Sequence, residues 1–395
     1  MKRFEGDRFK QAERARKIQP PVIPIVAKWV QDNPGTISLG QGVVGWGPPE
    51  EAYVEMADVS RNPENHKYKS VQGIAPLLDL VKEKLKKENG IQSASNENSF
   101  ITAGSNMGFV NAILAITDPG DEVILPAPFY FNHEMAIDML GCRPVIVSTK
   151  ENHQLDLKKL KTGINKKTKA IVTVSPNNPS GAVYPREDLE SVTELCREHN
   201  LFHISDEAYE YFTFDESRHF SPASAMDAEE NVISLFSLSK AYGFASWRIG
   251  YQVVPPQISN AIRKIQDTNL ICPPVVSQHA AMGCLRKGRS FCDERIRSIA
   301  EVRKKVLERI SKWSPFANAT PAGGAFYLLL KVETDMRPME LTRRLIERHK
   351  VAVIPGSAFG LNDSCHLRLA YGVLDLETCE EALTRLEHGL QDLVG

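Results

Sequence analysis

The sequence has no long apolar run, almost no charge imbalance and few cysteines. No run of about 18 apolar residues occurs, so we expect no transmembrane helix. Met1–Asp7 also lacks the apolar core of an export signal. Lys plus Arg number 48 against 49 for Asp plus Glu, which leaves no basic field for nucleic acid or an anionic membrane. The seven cysteines form no C-x-x-C pair, so we expect reduced thiols and a cytoplasmic protein.

Several catalytic motifs are missing as well. The chain has no G-x-x-x-x-G-K-[ST] loop, which argues against a nucleoside triphosphatase. Its ten histidines are dispersed without an H-E-x-x-H pair. We therefore expect no metal site and interpret His66, His203 and His366 as structural or surface residues. With 42% hydrophobic and 25% charged residues the composition is that of a soluble globular protein, and 395 residues suffice for two domains.

The segment around Lys240 is the most informative part of the sequence. The β-rich run Asn231–Phe236 predicts a buried strand, and Ser237, Ser239 and Lys240 follow at its end. A lysine amine in this position can hold an aldehyde as a Schiff base. The two serines and Arg248, eight positions beyond the lysine, can bind an anion.

The same segment matches S-x-x-K, the nucleophile motif of serine β-lactamases and penicillin-binding proteins. In those enzymes the K-T-G element should follow the serine, whereas Lys161-Thr162-Gly163 precedes it here. No S-D-N follows Lys240 closely either. We therefore reject this alternative.

A second candidate site lies at a glycine turn between a strand and a helix. The apolar strand that begins at Ser99 leads into Gly104, Ser105 and Asn106, and apolar positions at helical spacing follow. Gly104 allows a tight turn, and the free N–H groups that open the helix form an anion site suited to phosphate. The alternative is an ordinary helix N-cap by Ser105.

Two further strand ends carry an aromatic ring and an amide. Tyr130, in Pro128-Phe129-Tyr130, follows the strand Glu122–Leu125, and its ring can lie flat on a planar ligand. Packing into the core is the alternative for this ring. Asn178 stands in an Asn-Asn-Pro-Ser-Gly turn after the strand that begins at Ile171, and turn chemistry alone would explain that composition.

A carboxylate ends the next apolar strand. Asp206 follows the run that begins at Leu201, at the edge where parallel sheets bind ligands, and Tyr209 lies three residues further on. The pair Asp206 and Glu207 could instead form an empty metal site.

Taken in order, these five segments resemble the class I and II pyridoxal-phosphate-dependent aminotransferases, which are fold type I enzymes. The resemblance runs from about Ile37 to about Gly372. It implies that Lys240 holds pyridoxal 5'-phosphate as an aldimine, that Asp206 faces the pyridine nitrogen, and that Tyr209 binds the phenolic oxygen O3′. Tyr130 would stack on the ring and Asn178 would bind the phenolic oxygen. The implied cofactor-binding set is completed by Gly104, Ser105, Asn106, Ser237, Ser239, Arg248 and Tyr68.

The resemblance also implies substrate-binding residues and a dimer. Arg368, in Arg368-Leu369-Ala370-Tyr371-Gly372, matches the arginine that binds the α-carboxylate. Tyr68 matches a tyrosine that reaches the phosphate in the neighbouring subunit, so we expect a homodimer. Gly42 and Trp46 lie in a segment that closes over the substrate in relatives, and Asn178 is expected to bind substrate as well as cofactor.

That segment contains two irregular features. Gly40-Gln41-Gly42-Val43-Val44-Gly45 spells G-x-G-x-x-G, but Trp46-Gly47-Pro48-Pro49 follows instead of a helix, so a dinucleotide site is rejected. The family more often has an acidic-Pro-Asp run just after the position of Gly42, and this chain departs from that pattern in the segment that closes over the substrate. We expect a hydrophobic or aromatic amino acid donor, because Trp46, Tyr130 and Phe326 could line an apolar pocket. Lys69 and Arg263 are kept as alternatives that could bind a second carboxylate, and 2-oxoglutarate is the acceptor expected from the resemblance.

The predicted reaction is ping-pong amino-group transfer from an L-amino acid to a 2-oxo acid, in which the freed Lys240 amine moves the Cα proton. A pyridoxal-phosphate lyase or synthase, of the C–S lyase or cyclopropane-forming type, is the alternative. A ligand-sensing regulator with an N-terminal DNA-binding module is not expected, because only about forty residues precede the resemblance.

Strands and helices alternate from about Ser99 to Val254, which predicts an α/β fold with a mainly parallel sheet sandwiched by helices. Gly288–Trp313 predicts a long helix that could bridge two domains. Gly324–Leu330 and His366–Tyr371 predict strands of a smaller α+β domain, with Leu376–Leu393 as its outer helix. We assign residues 48–287 to the large cofactor-binding domain, and residues 1–47 and 288–395 to the small domain with its N-terminal segment.

Overall fold

The structure, a computed structural model, describes residues 11–57 and 59–394, so Met1–Asp7 lies outside the described residues. Its α-helices are α1 (Glu13–Lys17), α2 (Val22–Asp32), α3 (Glu50–Ala57), α4 (Ala75–Glu88), α5 (Ser105–Ile116), α6 (Phe131–Met139), α7 (Leu157–Gly163), α8 (Arg186–Glu198), α9 (Pro256–Asn269), α10 (Val275–Lys287), α11 (Arg289–Ile310), α12 (Pro338–His349) and α13 (Leu376–Val394). Within the described ranges, no helix combines the length and apolar character needed to cross a membrane.

The strands are β1 (Ile37–Ser38), β2 (Ser99–Thr102), β3 (Glu122–Ala127), β4 (Arg143–Ser148), β5 (Thr168–Val174), β6 (Phe202–Asp206), β7 (Val232–Ser237), β8 (Gly250–Val253), β9 (Ala317–Ala319), β10 (Tyr327–Val332), β11 (Val351–Ala352), β12 (Ile354–Pro355) and β13 (Cys365–Ala370). Short 3₁₀ turns span Val59–Arg61, Pro63–His66, Pro222–Ser224, Ala228–Glu230, Ala245–Trp247 and Gly356–Phe359.

Seven strands form the large sheet, in the order β2-β8-β7-β6-β5-β3-β4. All neighbours pair in parallel except β8, which runs antiparallel to β7 and to β2. Helices α5, α6 and α9 share one apolar cluster with the sheet, and α7 and α8 share another on the opposite side. Both faces are therefore covered, which explains why β5 and β6 are almost continuously buried rather than alternating.

A second, antiparallel sheet has the order β12-β13-β10-β9, and β1 pairs in parallel with β11 beside it. The long helix predicted over Gly288–Trp313 is found as α11, and the outer helix as α13. The α/β fold with a mainly parallel sheet sandwiched by helices and a smaller α+β part is confirmed. The exact domain bounds stay a prediction.

One predicted strand starts later than expected. The apolar pattern suggested a strand from Gly324, but β10 begins at Tyr327. Gly324 instead forms an isolated bridge with Thr213, and its N–H donates to Gly181 O at 2.8 Å. These contacts with loops of the large sheet use the backbone groups that a longer β10 would need, and they bring β10 close to the carboxyl edge of the large sheet.

The N-terminal helix α2 packs on the small sheet. Val22 and Val26 are buried in a cluster with two phenylalanines. Phe359 ends the 3₁₀ turn that follows β12 of the small sheet, and Phe131 begins α6. Ile23, between the two valines, is packed against the same cluster. This arrangement places the beginning of α2 beside the carboxyl edge of the large sheet.

Candidate active site

A cavity of about 320 Å³ opens where the carboxyl ends of β5, β6 and β7 meet the small sheet. Twelve of the residues proposed from the sequence line it: Gly42, Ser105, Asn106, Tyr130, Asn178, Asp206, Tyr209, Ser237, Ser239, Lys240, Arg248 and Arg368. A larger surface groove of about 720 Å³ lies between α7 and α8 and contains none of them. The fold thus brings together residues that are scattered over more than 300 positions of the chain, from Gly42 to Arg368.

Lys240 lies at the centre of the cavity and is half-buried. Its Nζ donates to Gly42 O at 2.6 Å. Burial, together with the positive charges of Arg368 and Arg248, lowers the pKa of Lys240 to about 8, while Asp206 acts in the opposite direction. A considerable fraction of the amine is therefore neutral near physiological pH, which is the state that attacks a carbonyl carbon.

The glycine turn and Arg248 form one wall of the cavity. Gly104, with φ +77°, is the N-cap of α5, and Ser105 is the first helical residue. The alternative that Ser105 is an ordinary N-cap is therefore wrong, because the Gly104 backbone takes that position and leaves the Ser105 hydroxyl for the cavity. A side chain at residue 104 would overlap the Arg248 guanidinium. The close packing of Arg248 against the opening of α5 makes an anion site of the kind that suits phosphate.

The Arg248 guanidinium binds a backbone carbonyl rather than a carboxylate. Its φ is +55°, in the left-handed region, and Nη1 donates to Ala245 O at 2.8 Å. Within the described residues no carboxylate lies at ion-pair distance from it. Ser237 Oγ, on the same wall, accepts from the Ser239 N–H at 3.1 Å. The guanidinium is therefore available to an external anion.

Asp206 is the last residue of β6 and only 4% exposed. One carboxylate oxygen accepts from the Ala208 N–H at 3.1 Å, and the other lies 3.1 Å from His133 Nε2. That imidazole, which stacks on Phe109 at 4.1 Å between ring centroids, is close enough for an ion pair but is not aligned as a hydrogen bond. Sequence reasoning missed His133, because nothing in the local sequence of α6 shows which buried histidine meets a distant strand end.

Glu207 does not join Asp206 in a carboxylate pair. It is fully buried and binds Ser221 Oγ and His219 Nε2, the latter at 2.9 Å. The alternative of a metal site at these adjacent acids is therefore not supported by their geometry. In the part of the chain that the structure describes, no cluster of three or more His, Cys, Asp or Glu side chains is arranged to hold a metal ion.

The two adjacent asparagines of the Asn-Asn-Pro-Ser-Gly turn have different surroundings. Asn177 Oδ1 accepts from both the N–H and the hydroxyl of Ser180, at 3.0 and 2.7 Å, which fixes the turn. Asn178 lines the cavity, and its Oδ1 accepts from Arg368 Nη1 at 3.1 Å. The amide nitrogen of Asn178 is left for a ligand, in agreement with the choice of this residue from the sequence.

Arg368, on β13, is 2% exposed. Besides Asn178, its guanidinium donates to Gly40 O at 2.7 Å and lies over the rings of Tyr327 and Phe359 at 4.6 and 5.1 Å. Its Nε has no hydrogen-bond partner, and no carboxylate of the described chain pairs with it. A buried cation without a counter-ion is costly, so this position is suited to an anionic ligand that supplies the charge.

Three residues singled out from the sequence lie elsewhere. Trp46 donates from its indole N–H to Ala241 O at 3.1 Å and packs against the main core outside the cavity lining. Phe326 is fully buried in the same core. Tyr68 is 78% exposed and does not line the cavity of its own chain. Cavity residues that sequence reasoning did not select are Ile23, Val43, Phe131, Val174, Ala208 and Tyr327.

Comparison with known proteins identifies the family. Residues 34–386 match the model of aminotransferase class I and II. The chain is 31% identical over 386 residues to an aromatic aminotransferase of Arabidopsis thaliana, covering 95% of this chain and 94% of the relative. It is 34% identical over 325 residues to an aspartate aminotransferase of Pyrococcus abyssi, covering 81% and 83%. A solved Thermus thermophilus aspartate aminotransferase mutant superposes with a TM-score of 0.88 at 28% identity, covering 96% and 99%.

The chain belongs to the class I and II aminotransferases. It is a pyridoxal-phosphate-dependent enzyme that transfers amino groups between amino acids and 2-oxo acids. The resemblance read from the sequence is thereby confirmed, and the comparisons favour amino-group transfer over the lyase or synthase alternative.

The cavity of this aminotransferase fits the cofactor chemically. Hydroxyls and a guanidinium converge at the start of α5, where a phosphate can bind, and the space there depends on the missing Cβ of Gly104. Asp206, buried in the lining of the same cavity, offers a carboxylate to a protonated pyridine nitrogen. Lys240 lines this cavity as well and has a lowered pKa, as a covalent anchor for an aldehyde requires.

Proposed function

We propose the following roles for the residues of this aminotransferase. Lys240 anchors the cofactor covalently, and Asp206 holds the proton of the pyridine nitrogen. Tyr209 and Asn178 bind the phenolic oxygen, and Tyr130 covers the ring. The phosphate is bound at the opening of α5 by Gly104, Ser105, Asn106, Ser237, Ser239 and Arg248. The observation that carries this proposal is that a lysine with a pKa of about 8, a buried carboxylate and an anion site line the same cavity.

When bound, pyridoxal phosphate supplies an aldehyde that bonds amines and a pyridine ring that takes up the electrons of a broken Cα–H bond. Arg368 orients the substrate by its α-carboxylate, which brings Cα toward Lys240 Nζ. The displaced amine of Lys240 then takes the Cα proton, a task for which its lowered pKa suits it. The Gly42 carbonyl, which accepts from Nζ at 2.6 Å, keeps the amine in the cavity while it is free.

Peptide mapping after borohydride reduction tests the anchor. We expect the pyridoxyl group on Lys240, and we expect Lys240→Arg to abolish labelling. Lys69→Arg serves as the control, because Lys69 is half-exposed and lies outside the cavity lining. This variant should be labelled at Lys240 as the parent is. Labelling at a different lysine would overturn the assignment.

We propose a hydrophobic or aromatic amino acid as the donor. The cations that line the cavity are Lys240, Arg248 and Arg368, and each already has a role above. The remaining wall near Arg368 includes Ile23, Val43 and Phe131, which favour an apolar side chain. Trp46 and Phe326 do not support this proposal, because they lie outside the lining. The exposed Arg263 and the half-exposed Lys69 do not line the cavity either.

A donor panel tests this proposal. Each amino acid is added alone, and the bleaching of the bound cofactor reports the half-reaction. We expect phenylalanine, tyrosine, methionine or kynurenine to exceed aspartate and diaminopimelate by at least tenfold, about 1.4 kcal/mol in transition-state binding. The reverse order would refute the apolar pocket. The acceptor 2-oxoglutarate is proposed from the resemblance alone, and its second carboxylate would need a cation besides the three that the described residues place in the cavity.

We further propose a cytoplasmic homodimer with shared sites. Tyr68 is 78% exposed, and other exposed apolar side chains lie on neighbouring elements: Tyr53, Val54, Ile271 and Val276. Tyr53 contacts Trp247 with a centroid distance of 6.1 Å, so this apolar area borders the exposed side of Arg248. A second copy bound there would bring its Tyr68 toward the phosphate end of the cavity.

Subunit mixing tests the shared site. Lys240→Ala and Tyr68→Phe proteins, each of low activity, should regain part of the activity when mixed, because a heterodimer contains one site free of both changes. The Lys240→Ala protein mixed with itself is the control. Absence of recovery, once subunit exchange has been demonstrated by mass, would contradict the role of Tyr68.

A further inference from the structure

Tyr327 forms a hydrogen bond between the two sheets inside the cavity. It begins β10 of the small sheet, whereas Tyr209 follows β6 of the large sheet. Their hydroxyl oxygens lie 2.8 Å apart, and the rings meet edge to face with centroids 5.4 Å apart. Both side chains are at most 5% exposed, so bulk water does not compete for this bond. Tyr327 also lines the cavity itself.

The Tyr327 hydroxyl is confined from several sides. A Cβ on residue 42 would lie 2.6 Å from Tyr327 Oη, so this hydroxyl depends on a glycine at Gly42. The Arg368 guanidinium lies over the Tyr327 ring at 4.6 Å from its centroid. The ring is therefore held by residues that face the substrate, while its oxygen faces Tyr209.

Burial keeps both phenols protonated at neutral pH. Burial raises the pKa of Tyr327 to about 12, with the positive charge of Arg368 acting against the rise. Burial raises the pKa of Tyr209 as well, and Tyr327 and Tyr130 add to the rise. Lys240 Nζ lies 5.9 Å from the centroid of the Tyr209 ring. Each phenol thus keeps its hydroxyl hydrogen, and either Tyr209 or Tyr327 can be the donor of the hydrogen bond between them.

That direction is set once Tyr209 has another acceptor. A phenol donates a single hydrogen. If Tyr209 gives its hydrogen to the phenolic oxygen of the cofactor, the bond between the two tyrosines can form only with Tyr327 as donor. A phenol that accepts a hydrogen bond becomes a better donor, because chains of hydrogen bonds polarise one another.

We propose that Tyr327 is a positioning residue for Tyr209: its hydroxyl donates to Tyr209 Oη and thereby directs and strengthens the hydrogen bond from Tyr209 to the cofactor's phenolic oxygen. The inference rests on the role of Tyr209 proposed above. It assigns a function to the small sheet in cofactor chemistry, in addition to its part in substrate binding through Arg368.

The test uses the holoenzyme and the pH midpoint of the visible absorbance change of the bound cofactor. As long as the nitrogen that links the cofactor to Lys240 is protonated, its N–H would stabilise the negative charge of the phenolic oxygen. After that proton is lost, the Tyr209 hydroxyl would be the main donor to this oxygen. Donation by Tyr209 would therefore favour the deprotonated state and lower the pH midpoint. Tyr209→Phe should therefore raise the midpoint.

Tyr327→Phe should raise the midpoint less, by about 0.1–0.7 pH unit. This shift corresponds to a loss of roughly 10–30% of a charge-assisted hydrogen bond. The double variant Tyr209→Phe/Tyr327→Phe should shift no further than Tyr209→Phe alone, because Tyr327 acts through Tyr209. Tyr371→Phe is the matched control. It removes the hydroxyl of another buried tyrosine, one that has no hydrogen-bond partner in the described chain, and should leave the midpoint unchanged.

The outcomes separate the inference from the proposed function. If Tyr209→Phe does not move the midpoint, the role of Tyr209 fails, and the inference fails with it. If Tyr209→Phe moves it but Tyr327→Phe behaves like Tyr371→Phe, only the inference is overturned. Additive shifts in the double variant would show that Tyr327 acts directly rather than through Tyr209, which also overturns it. Circular dichroism and thermal unfolding of each variant verify that the fold is kept.

Discussion

The unpaired guanidinium of Arg368 leads to the most direct prediction. Arg368 is 2% exposed, donates to two neutral oxygens, and keeps Nε without a partner. Burial also lowers the pKa of Arg368 from its usual value, which shows that the folded chain alone does not favour the charge. The α-carboxylate of the substrate supplies the missing counter-ion in the proposed complex. We therefore expect Arg368→Lys to weaken the binding of every substrate that has this carboxylate.

The magnitude follows from the bonds that are lost. Lysine keeps the positive charge but lacks the planar fork that forms two parallel bonds to a carboxylate. The loss of one charge-assisted hydrogen bond costs about 1.5–3 kcal/mol. At 1.36 kcal/mol per factor of ten, kcat/KM should fall roughly 10- to 150-fold. The fall should lie mainly in KM, because the carboxylate is bound in the ground state as well as in the transition state.

The assay measures both half-reactions separately. Stopped-flow bleaching of the bound cofactor by the amino acid, and its recovery with the 2-oxo acid, each give a limiting rate constant and a half-saturating substrate concentration, which serve as the kcat and KM of that half-reaction. Arg263→Lys, on the exposed face of α9, is the matched control and should leave all four values unchanged. Cofactor affinity should also stay as in the parent, because Arg368 is not assigned to the cofactor. Unchanged KM values for both substrates of Arg368→Lys would refute the reasoning.

Two further predictions concern the cofactor wall and the lysine. Gly104→Ala should destabilise the apoprotein by about 1 kcal/mol, because φ is +77°, and should raise the cofactor Kd at least tenfold through overlap with Arg248. Gly120→Ala is the control, because φ is +92° at Gly120 but a Cβ there would meet no other atom, so this variant has the backbone strain without the overlap. Equal cofactor Kd values for the two variants would argue against the overlap. For Lys240, a pKa lowered from 10.5 to about 8 means that the folded apoprotein holds fewer protons than the unfolded chain between these values. Lys240→Met should therefore raise the free energy of unfolding of the apoprotein at pH 7 by about 3 kcal/mol, as measured by urea unfolding. This difference between variant and parent should disappear as the pH rises from 8 to 10.5. A stabilisation that does not change with pH would contradict the lowered pKa.

The residues that the sequence could locate are those at the ends of parallel strands. Asp206 ends β6 and Ser237 ends β7, and a parallel sheet brings its carboxyl ends to one edge. Only the element type and the chain order are needed for this inference. It could therefore be made before any contact was known, and Ser105 and Asn178, which also follow strands, line the same cavity.

Contacts between elements that are distant in the sequence could not be obtained in this way. Ile23 enters the cavity from α2, His133 reaches Asp206 from α6, and Tyr327 reaches Tyr209 from β10. Each depends on how separately formed elements pack against one another, and hydrophobic periodicity does not contain that information. The predicted trans contact of Tyr68 is of the same kind and stays a prediction.

The adjacent aromatic residues Phe326 and Tyr327 show most clearly what could not be predicted from the sequence. Neighbouring side chains of a strand point to opposite faces, so the choice between Phe326 and Tyr327 depends on the register of β10. The strand begins at Tyr327 and pairs it with Ala370, which leaves Phe326 in the core and turns Tyr327 to the cavity. Sequence reasoning selected Phe326, because both are aromatic and nothing local distinguishes them. The hydroxyl that makes the difference has a function only after Tyr209 has been brought within 2.8 Å of it.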